Sequence, residues 1–295
     1  METINTLNNF CFCTLALGEK YQHFASLLIK DLSKNAPQIP IVILTDNPKK
    51  FEAYRNVISY FHTQKSVGAY HDKRWAIAKS LEAFNSCIFL DSDVRILQPI
   101  PDRLEWIDTP GIQAKSCFTM PHHYSKVFSD KASQSLIKEF DVVVRASRKI
   151  SLDFLNEDIY FVKEWLFSVT RDSGREQEFL MWWDKLEKYF ELRGICGSEG
   201  AIIGLAAAKA GFEVNYCQMD GLSFFKHHVT QWRIQKGQVD LKDVANYFEQ
   251  YKEIKYPKRS IFKRSVDKVF RISNHSYRRM SLQLSALSDI DFYYL

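Results

Sequence analysis

Two aspartates separated by one residue, Asp91 and Asp93, directly follow a short apolar run in the chain. That run, residues 87–90 (CIFL), has the length and continuous apolarity of a strand covered on both faces. Side chains two residues apart in an extended chain point the same way, so both carboxylates should face one side of the strand end. Carboxylates this close repel each other unless a cation lies between them. A hard divalent ion, Mn²⁺ or Mg²⁺, is the usual partner.

A solvated acidic turn is the other interpretation of residues 91–93. The apolar run before them, and Val94 and Ile96 after them, favour the metal site, because a surface turn has no reason to be held between two buried segments. In open α/β sheets, ligands bind at the carboxyl ends of the strands. The pair is therefore a candidate metal site, and such an ion commonly brings a diphosphate with it.

Apolar runs alternate with helical periods before and around this pair. Strands are predicted over residues 10–17, 39–45, 57–61 and 87–90, and helices over residues 20–32 and before Asn85. This alternation predicts a parallel, doubly wound sheet. The sequence contains no glycine-rich dinucleotide or P-loop motif. A bound nucleotide would therefore be held by side chains at strand ends and by the metal.

The following part of the chain is less regular. Residues 102–145 show no clean period and are interpreted as a substrate-facing insertion, in which His122 and His123 belong to a solvated loop rather than to a metal site. Glu199 falls in the first turn of a helix with Ser198 as its N-cap, which suits either the helix dipole or a catalytic role. The remaining elements are predicted strands near residues 154–155, 159–162, 212–217 and 222–228, and helices over residues 177–190 and 199–210.

Length and composition are those of a globular protein. The chain has 295 residues, 46% of them hydrophobic and 25% charged, which suits one large α/β domain with an appended piece. We place the domain at residues 1–240 and a basic, partly helical extension at residues 241–295. The six cysteines form no Cys-x-x-Cys pair and are interpreted as small buried thiols. With no signal or membrane span in the sequence, these features predict a cytoplasmic protein.

Positive charge is concentrated near the carboxyl end. Residues 255–280 hold nine Lys or Arg against one Asp, a local charge of +8 in a chain whose total is +5. Ile261, Phe262, Val266, Val269 and Phe270 lie roughly on one side of a helix there. Two interpretations stay open, a solvated basic helix and a peripheral helix on the anionic inner face of a membrane. Nucleic acid is not expected, because no binding motif accompanies the charge.

The DxD motif at residues 91–93, after CIFL and with the basic helix start at residues 73–75 before it, resembles the nucleotide-diphospho-sugar transferases of the GT-A fold. The resemblance is to the glycogenin-like and related bacterial families and spans roughly residues 10 to 235. It implies a Rossmann-like α/β fold with a mixed, mainly parallel sheet flanked by helices. It also implies a metal-dependent glycosyltransferase that moves a sugar from a UDP- or GDP-sugar to a hydroxyl of a glycan, lipid-linked or polysaccharide acceptor.

The resemblance also implies roles for individual residues. Asp91 and Asp93, with His227 or His228, are similar to the ligands of Mn²⁺ or Mg²⁺. Glu199 and Asp158 are the candidates for a catalytic base. Positions that resemble the family's contacts to the nucleotide sugar are Thr14, Asp46, Lys73, Arg74, Asp91, Ser92, Asn156 and Lys226. Asp158 stands where the family has a glycine, and the family's Gly and Lys-Pro-Trp after the histidine are absent.

Two other functions compete with this one. Phosphatases of the haloacid-dehalogenase type also carry an Asp-x-Asp after a strand, but they have Thr or Val four residues after the first Asp, where this chain has Arg95. The second rival is a non-catalytic module that binds a nucleotide or a membrane and uses the basic extension. The intact Asp91, Asp93 and Glu199 argue against a degenerate site.

Overall fold

A computed structural model of the chain describes residues 9–130, 132–153, 155, 158–257 and 261–295, with the backbone alone for 261–265. Eleven strands lie in these residues: β1 Phe10–Ala16, β2 Ile41–Thr45, β3 Val57–Phe61, β4 Ser86–Leu90, β5 Arg95–Ile96, β6 Gly111–Ala114, β7 Cys117–Thr119, β8 Tyr160–Val162, β9 Leu166–Thr170, β10 Val214–Tyr216 and β11 Phe224–Phe225. The α-helices described are α1 Gly18–Asn35, α2 Lys73–Leu81, α3 Met120–His123, α4 Gln134–Lys149, α5 Arg175–Leu192, α6 Glu199–Ala210, α7 His227–Gln235, α8 Leu241–Lys255, α9 Ile261–Ala286 and α10 Ile290–Tyr293.

The chain divides into two compact units. Unit 1 comprises Met1–Thr63, Trp75–Asp108 and Met219–Ser265, and unit 2 comprises Gln64–Arg74, Thr109–Gln218 and Val266–Leu295. The predicted division after residue 240 stays a prediction. The first helix beyond it, α8, packs within unit 1, where Val244 and Phe248 form a buried cluster with Phe225.

Unit 1 is built on four parallel strands in the order β4-β1-β2-β3. All five residues of β2 and of β4 are buried, as expected for parallel strands covered on both faces. The register pairs Phe12 with Ile41 on one side and with Ile88 on the other. These four strands lie where the sequence predicts them, and their parallel pairing confirms the prediction for this part of the sheet.

Unit 2 contains a mixed set of strands and a helix held very close to one of them. β6 pairs with β10 in parallel and with β9 antiparallel, while β7 and β8 form a separate antiparallel pair. Helix α6 approaches β8 through Gly200 and Gly204. A Cβ on Gly204 would lie 1.7 Å from the carbonyl oxygen of Tyr160. This close approach fixes the start of α6, where Glu199 lies.

The two units together confirm the predicted fold class: an α/β fold of mainly parallel strands flanked by helices. The GT-A subtype of that fold stays a prediction. The two helices predicted in the second half of the chain are confirmed. α5 is two residues longer at each end than predicted, and α6 has the predicted bounds and is followed by Gly211 in the left-handed conformation. Ser198 stands at the N-cap of α6, but its hydroxyl donates to Glu139 instead of capping the helix.

Two sequence-based expectations are wrong, one about a strand and one about His123. Residues 102–145, which show no clean period in the sequence, contain β6, β7, α3 and most of α4, and α4 buries Val142, Val143 and Ala146. Their interpretation as a substrate-facing insertion stays a prediction. The strand expected over residues 222–228 is confined to β11, and α7 begins at His227. His123 is likewise no solvated loop residue, because its ring stacks on Phe161 with centroids 3.5 Å apart.

The carboxyl-terminal part of the chain is helical. α10 and the residues beside it pack on α5 within unit 2, where Lys185 pairs with Asp289 and Arg193 donates to the carbonyl of Tyr293. In the ranges that the structure describes, no helix combines the length and the apolarity needed to cross a membrane.

Candidate functional site

The acidic pair singled out in the sequence lies in unit 1, directly after β4. The side chains of Asp91 and Asp93 are 23% and 20% exposed, and Ser92 between them is buried. Both carboxylates contact one cation: Nζ of Lys226 donates to Oδ2 of Asp91 at 2.7 Å and also to Oδ1 of Asp93. The positive charge that two neighbouring carboxylates require is therefore supplied, in this structure, by a lysine side chain.

A short antiparallel strand pair explains how Lys226 reaches the aspartates. β5 begins two residues after Asp93, and its Arg95 lies opposite Phe225 of β11. Lys226 follows Phe225 directly, so the register brings it beside the residues that precede Arg95. Arg95 itself is buried and pairs with Asp31, with Nε 2.5 Å from Oδ2. Arg95 thus holds this strand pair in place.

The electrostatics of Lys226 favour its charged form. Burial by itself lowers the pKa of a lysine, but the charges of Asp91 and Asp93 and the hydrogen bonds to them outweigh burial and raise the pKa of Lys226. The ammonium group is nearly inaccessible, whereas the two carboxylates keep a partly open side.

The two histidines proposed as metal ligands lie at the start of α7. The ring of His227 stacks on Tyr251 with centroids 4.2 Å apart and meets Phe248 edge-on at 5.2 Å. Burial lowers the pKa of His227, although the charge of Asp93 acts in the opposite sense. His228 is exposed. Among the described residues, neither histidine joins the aspartates in a set of three close donor atoms, so the metal shell stays a prediction.

Thr14 and Asp46, expected near the base and the ribose, make contacts within unit 1. The hydroxyl of buried Thr14 donates to the carbonyl of Leu90 at 2.7 Å, which ties β1 to the end of β4. The carboxylate of Asp46 accepts from the backbone N–H of Gly18 and from the side chain of Gln22 at 2.8 Å. Asp46 therefore stabilises the first turn of α1.

Lys73 and Glu199, predicted for the nucleotide and for catalysis, pair with each other in unit 2. Nζ of Lys73 lies 2.9 Å from Oε2 of Glu199, and both side chains are about 5% exposed or less. Glu199 is the first residue of α6 and therefore also faces the positive end of the helix dipole. The structure brings these two predicted residues together as a buried ion pair.

Arg74, the other basic residue predicted for the nucleotide, contacts α5. Its Nε donates to Oε2 of Glu187 at 2.8 Å, and its NH2 group contacts Asp184. Burial nevertheless raises the pKa of Glu187 to about 8, against the lowering effect of Arg74. One turn further along, burial raises the pKa of Glu191 to about 6, against the backbone N–H groups of Gly68 and Val67 that donate to it.

The remaining predicted residues lie between α4 and β8. Asn156 falls outside the described residues. Asp158 is exposed and borders a cavity of about 440 Å³ in unit 2, which is also lined by Tyr160, Gly204 and Asn215. Asp158 and Glu213 are the two carboxylates of its lining, and Asp158 is the only predicted site residue on its wall among those described.

Sequence reasoning missed the buried acidic residues of α5. Glu187 and Glu191 are one helical turn apart and fall among Trp183 and Phe190 on the buried face of the helix. A charged side chain inside an apolar helical stripe signals a buried group with a required partner. That signal was present in the sequence, but the partner, Arg74, is 113 residues away from Glu187.

Comparisons with known proteins give distant structural likeness and no family. No family model matches the chain, and no curated protein matches it. Among solved structures, it is similar to the mannosyltransferase Ktr4p from S. cerevisiae, with 9% identity and a TM-score of 0.45 over 73% of this chain and 70% of that one. It is also similar to the apo structure of WbbM, a bifunctional glycosyltransferase, with 12% identity and a TM-score of 0.44 over 82% of this chain. The chain spans about half of WbbM (49%). These values assign neither a family nor an activity.

Proposed function

We propose that this chain is a glycosyltransferase that moves a sugar from a UDP- or GDP-sugar to an acceptor hydroxyl, with Mn²⁺ or Mg²⁺ bound at Asp91 and Asp93. The observation that carries the proposal is the convergence of these two carboxylates on one cation at the carboxyl end of β4. That position is where open α/β sheets bind their ligands.

The donor set fits a hard divalent ion. Carboxylate oxygens are the ligands that Mn²⁺ and Mg²⁺ prefer, and both aspartates are partly open on the side away from the protein interior. Asp91 and Asp93 would hold the ion, with His227 or His228 as the further ligand. When bound, the ion supplies a Lewis acid that neutralises negative charge on the diphosphate.

The chain's own groups have defined parts in the transfer. The acceptor hydroxyl attacks the anomeric carbon, the bond from that carbon to the phosphate oxygen breaks, and the nucleoside diphosphate leaves with the electron pair. With the ion bound at the aspartates, the ammonium of Lys226 would have to exchange its contacts with Asp91 and Asp93 for hydrogen bonds to the leaving phosphate. The hydroxyl proton goes to Glu199 or Asp158. Glu199 must exchange its contact with Lys73 to accept it, whereas Asp158 is exposed.

Release of UDP or GDP from a panel of nucleotide sugars with Mn²⁺ tests the proposal. We expect turnover by the natural chain and a fall in kcat/KM of about 100-fold or more in Asp93→Asn, since one group that stabilises charge in the transition state is lost. Asp108→Asn, which changes an exposed acid elsewhere in unit 1, is the matched control. Comparing Glu199→Gln with Asp158→Asn identifies the base.

Two outcomes would contradict the proposal. Equal turnover by the natural chain and Asp93→Asn would remove the acidic pair from the reaction. An absence of turnover with every donor, together with no thermal shift from UDP or GDP, would favour the non-catalytic module. Arg95, which stands where the phosphatase class has Thr or Val, is a buried partner of Asp31, and this argues against the phosphatase alternative.

We propose that α9 makes the peripheral membrane contact of this protein. Seven apolar side chains of α9 and the turn after it are exposed. With a rotation of about 100° per residue along a helix, they all lie within an arc about 100° wide on its surface. These are Val266, Val269, Phe270, Tyr277, Met280, Leu284 and Leu287. The basic residues of the same segment provide attraction to anionic lipid, each contributing about 1 kcal/mol near such a surface. This supports a peripheral cytoplasmic location for the enzyme and a lipid-linked or polysaccharide acceptor.

Co-sedimentation with vesicles tests the contact. One set of vesicles is phosphatidylcholine alone, and the other contains about 30% phosphatidylserine, an anionic lipid. Val269→Asp/Phe270→Asp should abolish sedimentation with the anionic vesicles. Ile272→Asp changes an exposed apolar residue outside the arc and should not. Unchanged sedimentation of the double variant would overturn the proposal. A dimer in analytical ultracentrifugation that this variant dissociates would assign the arc to a second copy of the chain instead.

A further inference from the structure

Three buried side chains of unit 2, none of them proposed above for the transfer, place donor atoms close together. Among the described residues, His71, Glu187 and Glu191 form the one group of three or more potential metal ligands, with one donor atom from each lying within 4.8 Å of the others. All three are buried, and His71 is 0% exposed. The group combines one imidazole with two carboxylates.

Two separate segments supply these ligands. Glu187 and Glu191 lie at positions i and i+4 of α5, so their side chains share one face of the helix. His71 lies in a 3-10 helix, Ala69–Asp72, that leads into α2. The preceding residues, Val67 and Gly68, donate their backbone N–H groups to Glu191 at 3.0 and 2.7 Å, which holds this segment against α5.

The imidazole of His71 gives the independent sign of a ligand. Neither of its ring nitrogens has a hydrogen-bond partner among the described residues, although the whole side chain is buried. An unsatisfied buried polar group costs about 1–3 kcal/mol and is rare in folded proteins. The backbone of Cys196 acts on the ring electrostatically, but its geometry falls short of a hydrogen bond.

The charges around the group also favour a cation. Glu187 shares Arg74 with Asp184, and the carboxylate of Glu191 accepts from the backbone N–H groups of Val67 and Gly68. Asp72 adds a further negative charge whose field acts on Glu191. A divalent cation would allow both glutamates to be charged in this buried region, where an unpaired carboxylate is costly.

We propose that His71, Glu187 and Glu191 bind one divalent transition-metal ion, with Zn²⁺ as the probe. Imidazole nitrogen and carboxylate oxygen are both ligands of zinc, at bond lengths of about 2.0–2.2 Å that place ligand atoms about 3.3 Å apart. The donor atoms, which lie within 4.8 Å of one another, would have to move closer by up to about 1.5 Å to reach that spacing. The free ring nitrogen of His71 would then donate to the Cys196 carbonyl, the usual second contact of a metal-bound histidine. The ion would clamp residues 67–74 onto α5.

Zinc binding by the full chain tests this site separately from the transferase proposal. The chain carrying Asp91→Asn and Asp93→Asn, which removes the other acidic pair, is stripped with EDTA and titrated with Zn²⁺ against a chromophoric chelator. We expect one Zn²⁺ per chain by elemental analysis. Substitution with Co²⁺ should give the visible absorption of a cobalt ion bound by nitrogen and oxygen. His71→Phe and Glu187→Gln, added to this chain, should each weaken zinc binding at least tenfold.

The controls separate ligand loss from misfolding. Glu187→Gln keeps an acceptor for Arg74, so it remains informative where His71→Phe fails to fold. Glu178→Gln changes an exposed acid of the same helix and should leave zinc binding unchanged. A chain that binds no zinc after removal of the aspartates, or equal affinity in Glu187→Gln and the parent, would overturn the proposal.

Discussion

The chain contains two acidic pairs that are balanced in different ways. Asp91 and Asp93 follow a strand in unit 1, are about a fifth exposed and share the ammonium of Lys226. Glu187 and Glu191 lie one turn apart on α5 in unit 2 and are 2% and 3% exposed. Both acids of the first pair lie within hydrogen-bond distance of the Lys226 ammonium group. In the second pair, Arg74 contacts Glu187, and the backbone N–H groups of Val67 and Gly68 donate to Glu191.

This difference shows that exposure, rather than the number of carboxylates, sets the state of an acidic pair. At the strand end, water and Lys226 stabilise both charges. On α5, burial raises the pKa of both glutamates, to about 8 and about 6, because desolvation exceeds what the neighbouring donors return. Asp91 and Asp93, which are partly exposed, can therefore exchange one cation for another. Glu187 and Glu191, which are buried, depend on the groups packed around them.

Removal of Arg74 should have the largest effect. We expect Arg74→Met to lower the free energy of unfolding by about 3 kcal/mol, because Glu187 is left buried without its partner. Urea unfolding of the natural chain and the variant measures the loss. Arg145→Met removes a partner from an exposed pair with Asp141 and should cost about 0.5 kcal/mol or less. Equal losses in the two variants would show that burial does not distinguish these ion pairs.

Removal of Lys226 should have an intermediate effect on stability, and Mn²⁺ should compensate for part of it. We expect Lys226→Met to lower the free energy of unfolding by about 1 kcal/mol, because the two aspartates then repel each other but remain partly hydrated. Mn²⁺ should raise the melting temperature of this variant more than that of the natural chain, since the ion no longer competes with the ammonium. Adding Asp93→Asn should remove the response. A variant insensitive to Mn²⁺ would contradict the view that this pair can exchange its cation.

The titration of His123, a half-buried base that belongs to neither acidic pair, should have the smallest effect. Burial against Phe161 lowers its pKa to about 4, and the charges of Lys163 and His122 act in the same direction. The unfolded chain therefore binds more protons than the folded one between about pH 6.5 and 4, and stability falls as the pH falls through that window. The loss should be under about 1 kcal/mol because the ring is partly exposed.

His123→Phe keeps the stacking and removes the titration, so it checks the size of this effect. The difference in unfolding free energy between pH 7 and pH 5, measured by urea unfolding, should be smaller in the variant than in the natural chain. An identical difference in both proteins would assign the acid sensitivity to other groups.

Local patterns in the sequence located most of the elements of unit 1. Its strands are continuous apolar runs, so their position and parallel pairing could be predicted from composition and alternation with helices. α4 was missed because its first half lies at the surface and buries few apolar residues. The strand expected at residues 222–228 was too long because the apolar run ends at Phe225, and His227 and His228 form the start of α7.

The sequence by itself determined that two carboxylates would follow a buried strand, because adjacent positions along one strand have a fixed geometry. Only the tertiary structure decided that Lys226 lies between them, that Lys73 pairs with Glu199, and that His71 faces two glutamates of α5. These contacts join residues far apart in the chain. Their formation depends on strand register and on the packing of helices, which local periodicity does not encode.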